Sequence, residues 1–114
     1  MALNHLITVA QSAKWEAGFF ENTELAFLWE EKETGRMVFL LKLLPGSIVP
    51  MHEHPRRELA YLLEGEALLN GEPLSGGDFL TAYGNVSHEV TTETGCIFFM
   101  YIDYDFKTHD FVSL

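Results

Sequence analysis

The chain has 114 residues, of which 47% are hydrophobic and 13% are aromatic. This length supports one domain with a single hydrophobic core, and the composition excludes a disordered chain. With 17 acidic and 7 basic residues, the formal net charge is −10, which disfavours binding to nucleic acid or to an anionic membrane. We therefore expect one domain, residues 1–114, with neither kind of partner.

A single cysteine, Cys96, excludes an internal disulfide and is typical of a reducing compartment. The N-terminus lacks the basic start and the continuous apolar stretch of a signal peptide. The longest apolar run, residues 96–102, is far shorter than the ~20 residues that a membrane-spanning helix needs. These features predict a cytoplasmic protein.

Short strands separated by turns are predicted from about residue 15 onward. Residues 24–31 and 37–44 flank a turn at 32–35, and the odd-numbered residues of the second segment form its expected interior face. Residues 48–54 are extended before Pro55. Residues 58–63 and 66–69 are predicted as two strands with a turn at 64–65, and Asn70-Gly71 indicates a type I′ hairpin.

Further strands are predicted at residues 79–83, 88–93 and 96–103, whereas residues 1–14 fit either a short strand or a weak helix. Short strands with turns every eight to twelve residues or so are typical of an all-β sandwich or barrel. Most of the core is expected to come from seven bulky side chains: Phe27, Trp29, Met37, Phe39, Phe79, Phe98 and Met100.

Four side chains of metal-binding type have a distinctive spacing: His52, His54, Glu58 and His88. Because side chains alternate between the faces of a strand, His52 and His54 point the same way. Glu58 has the same parity and joins them if residues 55–57 bend without a slip in register. A lone histidine is usually structural, but three imidazoles and a carboxylate on one face predict a site for Fe, Mn, Zn or Ni.

The glycines around these residues extend the pattern into two motifs that resemble those of the cupin superfamily. Gly46, His52, His54, Glu58 and Gly65 match every fixed position of the first cupin motif. Gly77 and His88 match the second motif. In that motif Tyr83, Asn85 and Thr92 stand where Pro, Gly and Asn are usual.

The resemblance covers residues 37–103 and implies a double-stranded β-helix of jelly-roll type, a cupin β-barrel. It implies that His52, His54, Glu58 and His88 bind a divalent metal. A weaker similarity, including Gly95-Cys96 before the last long strand, indicates the branch that contains the zinc-binding cupin half of certain anti-sigma factors and some diketone-cleaving dioxygenases. Tyr83, Phe39 and Met100 are candidates to line a pocket beside the metal.

Three functions follow from this resemblance. The first is a metal-dependent, dioxygenase-like oxidoreductase acting on a small diketone, enol or phenolic substrate that chelates the metal through oxygen. The second is a non-enzymatic sensor or binding module with a closed zinc site. The third, a sugar isomerase or epimerase, is disfavoured because such cupins usually dispense with metal.

Two further features bear on partners. Small cupins often pair, so a homodimer is expected, with Leu3, Leu6, Ile7 and Val9 of the N-terminal segment 1–14 as candidate contacts. Arg56 and Arg57 could clamp a carboxylate, although a solvated loop is the simpler interpretation.

Overall fold

The computed structural model describes residues 7–53, 57–82, 87–103 and 112–113, with only the backbone of residues 52, 53, 112 and 113. A single turn of 3-10 helix, Ala10–Ser12, precedes the strands. The strands are β1 Glu16–Ala17, β2 Thr23–Glu31, β3 Arg36–Leu43, β4 Ile48–Glu53, β5 Glu58–Leu69, β6 Glu72–Ser75, β7 Phe79–Ala82, β8 Ser87–Thr91, β9 Cys96–Asp103 and β10 Val112–Ser113.

All the strand pairs are antiparallel and form two sheets that share β5. Sheet A has the order β1-β2-β3-β9-β5-β7, and sheet B has the order β6-β5-β8-β4-β10. Apolar side chains from both sheets meet in one core cluster. This curled arrangement confirms the predicted all-β jelly roll. Among the described residues, no helix is long and apolar enough to cross a membrane.

Strand β5 corrects the prediction of a turn at residues 64–65. The chain stays extended from Glu58 to Leu69, and the pairing with β9 is irregular only between Leu62 and Glu64. Gly65, with φ of +90°, packs so closely on β9 that a Cβ there would lie 2.4 Å from the Gly95 carbonyl oxygen. The glycine therefore marks the point where one strand passes from sheet A to sheet B, rather than the end of a strand.

The Asn70-Gly71 turn confirms the predicted hairpin, because both residues have positive φ, 48° and 84°, as a type I′ turn requires. It joins β5 to β6, with Leu69 paired to Glu72. The turn 75–78 is also present, closed by hydrogen bonds in both directions between Ser75 and Asp78.

The hydrophobic core is built mainly from alternate residues of β3, β5 and β9. Its buried members are Leu25, Met37, Phe39, Leu43, Val49, Ala60, Leu62, Ala67, Val90, Cys96, Phe98 and Met100. The predicted interior face of β3 is confirmed by buried Met37, Phe39 and Leu43. Phe27 packs against the cluster from a half-buried position.

Phe79 was expected in the core, and this prediction is wrong. It lies on the outer face of sheet A, 57% exposed, because its parity on β7 is opposite to that of buried Ala82. Trp29 is only half-buried and is not part of the core cluster. Aromatic character alone therefore did not indicate which face of a strand is interior.

The strand register defines two ends of the barrel. At one end, which we call the glycine end, Thr23, Leu43, Cys96 and Gly65 are successive partners across β2, β3, β9 and β5. At the other, the carboxylate end, Ile102, Glu58 and Ala82 are successive partners across β9, β5 and β7.

The N-terminal segment runs beside sheet A. The Thr8 hydroxyl donates a hydrogen bond of 2.8 Å to the Leu28 carbonyl oxygen, at the point where the pairing of β2 with β3 shifts register. The Lys42 ammonium lies 4.2 Å from the centre of the Trp15 ring. Ile7 and Val9 are exposed and so accessible to a partner, whereas Leu3 and Leu6 lie outside the described residues.

Candidate metal centre

Glu58 is a carboxylate held inside an otherwise apolar row. It begins β5 with only 3% of its surface exposed, between Ile102 of β9 and Ala82 of β7. Met37 of β3 is the next partner beyond Ile102. A carboxylate in such surroundings loses most of its hydration, so it requires a compensating cation or hydrogen-bond donors.

His88 is equally buried, with 2% of its surface exposed, and belongs to the opposite sheet. Its Cα partner across the β4–β8 ladder is His52, which places the backbones of these two predicted ligands side by side. The structure thus brings together strands from the two separate motifs.

The Glu58 Oε1 and His88 Nε2 atoms lie 3.7 Å apart. This distance is longer than a direct hydrogen bond. Two ligands in neighbouring positions around one cation are separated by about 3–4 Å, given metal–ligand distances of ~2.1 Å. An anionic oxygen and an imidazole nitrogen are also donors that Fe, Mn, Zn and Ni accept. The two residues therefore fit a divalent cation, and a protonated His88 would equally make an ion pair with Glu58.

The other predicted ligands are described only in part. The backbone of His52 lies opposite His88, while His54 falls outside the described residues. Among the described side chains, which do not include those of His52 and His54, no group of three metal-binding residues occurs. The four-ligand set consequently stays a prediction, of which the Glu58–His88 pair is the part with observed geometry.

Two of the three predicted pocket residues lie near Glu58. Phe39 and Met100 are Cα partners, and Ala60, two residues after Glu58 on the same face of β5, is the next partner of Met100. All three are buried. They form the apolar layer next to the carboxylate row, while Tyr83 lies outside the described residues. Their role as pocket lining stays a prediction.

Arg57 does not project toward this interior. Its guanidinium Nη1 donates a hydrogen bond of 3.2 Å to the Thr81 hydroxyl on the outer face of β7, and that hydroxyl donates to the Glu58 carbonyl oxygen. The idea that Arg57 clamps a ligand beside the metal ligands is therefore not supported, whereas the exposed-loop interpretation fits its position. Arg56 lies outside the described residues.

Asn70 also contributes to the site, although the sequence predicts it only as part of a hairpin turn. The Asn70 carboxamide accepts a hydrogen bond of 2.8 Å from the Glu89 N–H and donates one of 3.2 Å to the Ser87 carbonyl oxygen. It thus holds the backbone on both sides of His88. The Asn in the hairpin signal was visible in the sequence, but only the register of β5 on β8 shows what its side chain contacts.

The fold and the motifs were compared with known proteins. A search among curated proteins found no match. A putative dioxygenase from Nostoc punctiforme superposes with a TM-score of 0.80 at 19% identity, over 92% of this chain and 39% of that one. A predicted oxalate decarboxylase from Thermotoga maritima gives a TM-score of 0.73 at 26% identity, over 86% of this chain and 98% of the other.

A third similar structure is the anti-sigma factor ChrR of Rhodobacter sphaeroides, determined in complex with SigE. The TM-score is 0.70 at 24% identity, over 83% of this chain, which spans only 51% of ChrR. A family model described as the ChrR cupin-like domain matches residues 4–104. The resemblance noted in the two motifs is thereby confirmed over most of the chain, and this protein belongs to the ChrR cupin-like domain family of cupins.

Proposed function

We propose that this protein is a metal-dependent cupin, with a divalent ion bound by His52, His54, Glu58 and His88. The observation that carries the proposal is the approach of Glu58 to His88, 3.7 Å apart although 30 residues separate them in sequence. Burying a carboxylate and an imidazole together in an apolar barrel costs stability unless both have strong partners. A shared cation meets that requirement for both residues.

We further propose that the site acts as a dioxygenase-like oxidoreductase on a small diketone, enol or phenolic substrate. When bound, the metal would supply Lewis acidity and a template for the substrate and oxygen. The chain's own contribution would be to hold the ligands rigidly on strands and to surround them with apolar side chains. Phe39, Met100 and Ala60 supply such a layer next to Glu58.

The apolar surroundings define the substrate class that this proposal favours. Within the described residues, Ile102 and Ala82 are the register neighbours of Glu58, and Met37 is the next partner beyond Ile102; none of the three carries a charge or a hydrogen-bonding side chain. Such a wall would accept a small substrate by shape and leave recognition of its oxygens to the metal. The similar structure described as a putative dioxygenase supports this proposal at the level of fold.

The metal part is tested by elemental analysis of protein purified without added metal. We expect about one divalent ion per wild-type chain and a loss of most of it in Glu58→Gln and His88→Ala. Glu89→Gln is the matched control, because Glu89 adjoins His88 but has the opposite strand parity. Equal metal content in wild type, Glu58→Gln and His88→Ala would show that the buried pair is an ordinary ion pair.

The oxidoreductase part is tested separately. Protein loaded anaerobically with Fe(II) is mixed with oxygen and a panel of β-diketones, enols and phenols while oxygen uptake is followed. We expect uptake that depends on the substrate and is lost in His52→Ala. Uptake no greater than in that variant, in protein that does hold the metal, would refute the activity and leave the metal site standing.

A second candidate, a closed zinc site in a non-enzymatic sensor or binding module, is favoured by the match to the ChrR cupin-like domain model. Coordination separates the two candidates, since four protein ligands around tetrahedral zinc leave no position for substrate. Visible absorption of the Co(II)-substituted protein measures this directly. Intense tetrahedral bands unaffected by candidate substrates would favour the sensor, and weak bands that change with substrate would favour the enzyme.

A further inference from the structure

Strand β8 carries His88 just beyond the point where its ladder with β5 ends. The last Cα partners of this ladder are Leu69 and Val90. Asn70 then enters the turn to β6, although its N–H still donates a hydrogen bond of 2.9 Å to the Glu89 carbonyl oxygen. The main chain of β5 thus holds β8 on one side of His88, and a different group is needed to hold the other side.

The Asn70 carboxamide extends this ladder past His88. Its Oδ1 accepts a hydrogen bond of 2.8 Å from the Glu89 N–H, and its Nδ2 donates one of 3.2 Å to the Ser87 carbonyl oxygen. A carboxamide offers the same kinds of donor and acceptor as a peptide group, so the side chain takes the place of one more main-chain residue. We call these two hydrogen bonds the Asn70 clamp. A shift of the His88 backbone along or away from β5 would stretch at least one of them.

The other neighbour of β8 is irregular close to His88. Strand β4 places His52 opposite His88, but the register of β4 on β8 shifts between Val49 and His52. Such an irregularity interrupts the ladder and bends the strand locally. Since β4 restrains this part of β8 less regularly than a continuous ladder does, the position of the His88 backbone depends more strongly on the Asn70 clamp.

The turn by itself does not require a carboxamide. Asn70 and Gly71 have φ values of 48° and 84°, and glycine or aspartate serves as well as asparagine at the first central position of a type I′ turn. Of these three residues only asparagine supplies both a donor and an acceptor. The clamp is exposed to solvent, so water competes for both bonds and their contribution to global stability is small. We therefore expect its main effect to be local, on the position of His88.

From these contacts we propose that Asn70 is a positioning residue for His88 and thereby sets the affinity of the site for a divalent cation. This inference rests on the proposed metal-dependent function. The His88 Nε2 lies 3.7 Å from the Glu58 Oε1, and metal–ligand distances tolerate deviations of only about 0.2 Å. A small displacement of the His88 backbone therefore weakens metal binding without unfolding the barrel. Residues that orient metal ligands typically contribute about tenfold to a hundredfold in affinity.

The test compares the Kd for Co(II) of the full-length wild type and of Asn70→Gly, followed by visible absorption. Glycine keeps the turn, because it adopts positive φ readily, and it removes both bonds of the clamp. We expect Asn70→Gly to raise the Kd about tenfold or more and to change the absorption bands at saturation. In the metal-free variant the Glu89 amide should exchange its hydrogen faster, while the amide of Glu72, which pairs with Leu69 across the turn, keeps its protection.

The matched control is Asp78→Ala, in the turn between β6 and β7. The Asp78 Oδ2 accepts an exposed hydrogen bond of 2.8 Å from the Ser75 N–H, the same length as the bond from Glu89 to Asn70. Its loss leaves the contacts of β8 intact, so the Kd for Co(II) should stay at the wild-type value.

Three outcomes would overturn the inference and leave the proposed metal site standing. The first is an equal Kd and an equal spectrum in wild type and Asn70→Gly. The second is a similar rise in Kd in Asp78→Ala, because the loss of any turn contact would then suffice. The third is a loss of protection at Glu72 in Asn70→Gly, because the turn itself would then have changed. A wild type that binds no Co(II) would instead refute the proposed metal function, and this inference with it.

Discussion

At the glycine end of the barrel, buried hydroxyl groups donate to nearby backbone carbonyl oxygens, whereas at the carboxylate end two buried side chains face each other. The single Ser47 hydroxyl proton is shared between the carbonyl oxygens of Asn22 and Leu44, both within hydrogen-bonding distance, and the Thr92 hydroxyl donates to the carbonyl oxygen of Glu66. Glu58 and His88 instead approach side chain to side chain, from opposite sheets. Buried polar groups in this molecule are therefore of two kinds: hydroxyls bonded to the backbone, and two ionisable side chains that approach each other.

The difference lies in how each polar group is compensated. A hydroxyl that donates to a backbone carbonyl oxygen in a turn stabilises the path of the chain there. Its hydrogen-bonding requirement is met by the chain alone. A buried carboxylate beside an imidazole needs a positive charge nearby, which either a protonated imidazole or a bound cation supplies. We therefore expect added metal to leave the stability contributed by the glycine end unchanged and to raise the stability contributed by the carboxylate end.

The largest expected effect is at the glycine end, in Gly65→Ala. The added Cβ would lie 2.4 Å from the Gly95 carbonyl oxygen and 2.7 Å from the Cys96 Cα, at a φ of +90°. We expect a loss of at least about 4 kcal/mol in the free energy of unfolding by urea. Gly71→Ala is the control, since Gly71 has a φ of +84° but no atom within 4 Å of an added Cβ.

The control should lose only about 1–2 kcal/mol, the cost of the left-handed conformation itself. Similar losses in both variants would mean that the close contact of β5 with β9 at Gly65 does not limit stability.

The next effect distinguishes the two ends by their response to metal. At free metal one hundredfold above Kd, wild type should gain about 3 kcal/mol in free energy of unfolding. Glu58→Gln should gain almost nothing. Ser47→Ala should gain as much as wild type, because within the described part of the chain the Ser47 hydroxyl bonds to backbone carbonyl oxygens. The measurement is urea unfolding with and without the metal found by elemental analysis. Equal gains in all three proteins would contradict the predicted difference in metal response between the two ends of the barrel.

A third prediction concerns Cys96, where burial raises the pKa of the thiol from 9.0 to about 11, despite an opposing hydrogen bond with Thr92. The unfolded chain loses this proton first. The corresponding stability is therefore complete below pH 9 and is lost as the pH rises toward 11. Between these limits wild type should lose about 2–3 kcal/mol more than Cys96→Ala.

Comparing the two proteins at each pH cancels the ionisation of tyrosines and lysines, because both proteins contain the same ones. Parallel stability curves for wild type and Cys96→Ala would contradict the prediction and would indicate that the thiol titrates as in the unfolded chain.

The smallest effect is that of Ser47→Ala on stability without metal. Ser47 is fully buried, and its replacement removes one hydroxyl donor from the Asn22 and Leu44 carbonyl oxygens, each of which keeps a backbone N–H donor. The lost hydrogen bond should cost about 1 kcal/mol. Ser12→Ala removes an exposed hydroxyl that donates to the Val9 carbonyl oxygen, and should change stability by less than about 0.5 kcal/mol. Equal effects would show that burial adds nothing to this hydrogen bond.

Much of the fold followed from strand periodicity and turn chemistry. The strand Cys96–Asp103 and the Asn70-Gly71 hairpin were predicted because apolar runs and paired positive-φ residues are local signals. The continuity of β5 through Gly65 was not predicted. A glycine that ends a strand and a glycine that lets it pass closely over another strand look the same in sequence.

The interior face of β9 could not be predicted either, because its residues are apolar on both sides. Phe98 and Met100 are buried while Phe99 is exposed, and only the pairing with β3 and β5 makes that choice. For the candidate metal centre, the motif spacing predicted the meeting of Glu58 and His88. The motif spacing did not predict the contacts of Asn70, because they depend on the register between strands that are distant in the sequence.

The contacts of Asn70 have a mechanical consequence. Strand β5 begins with the carboxylate of Glu58 and leads directly into the turn whose carboxamide grips the chain on either side of His88. The Glu58 carboxylate and the backbone on both sides of His88 are thus connected to the same strand, although 30 residues separate them in the sequence. A shift of β5 against its neighbours would therefore act on both side chains, on Glu58 directly and on His88 through the hydrogen bonds of Asn70.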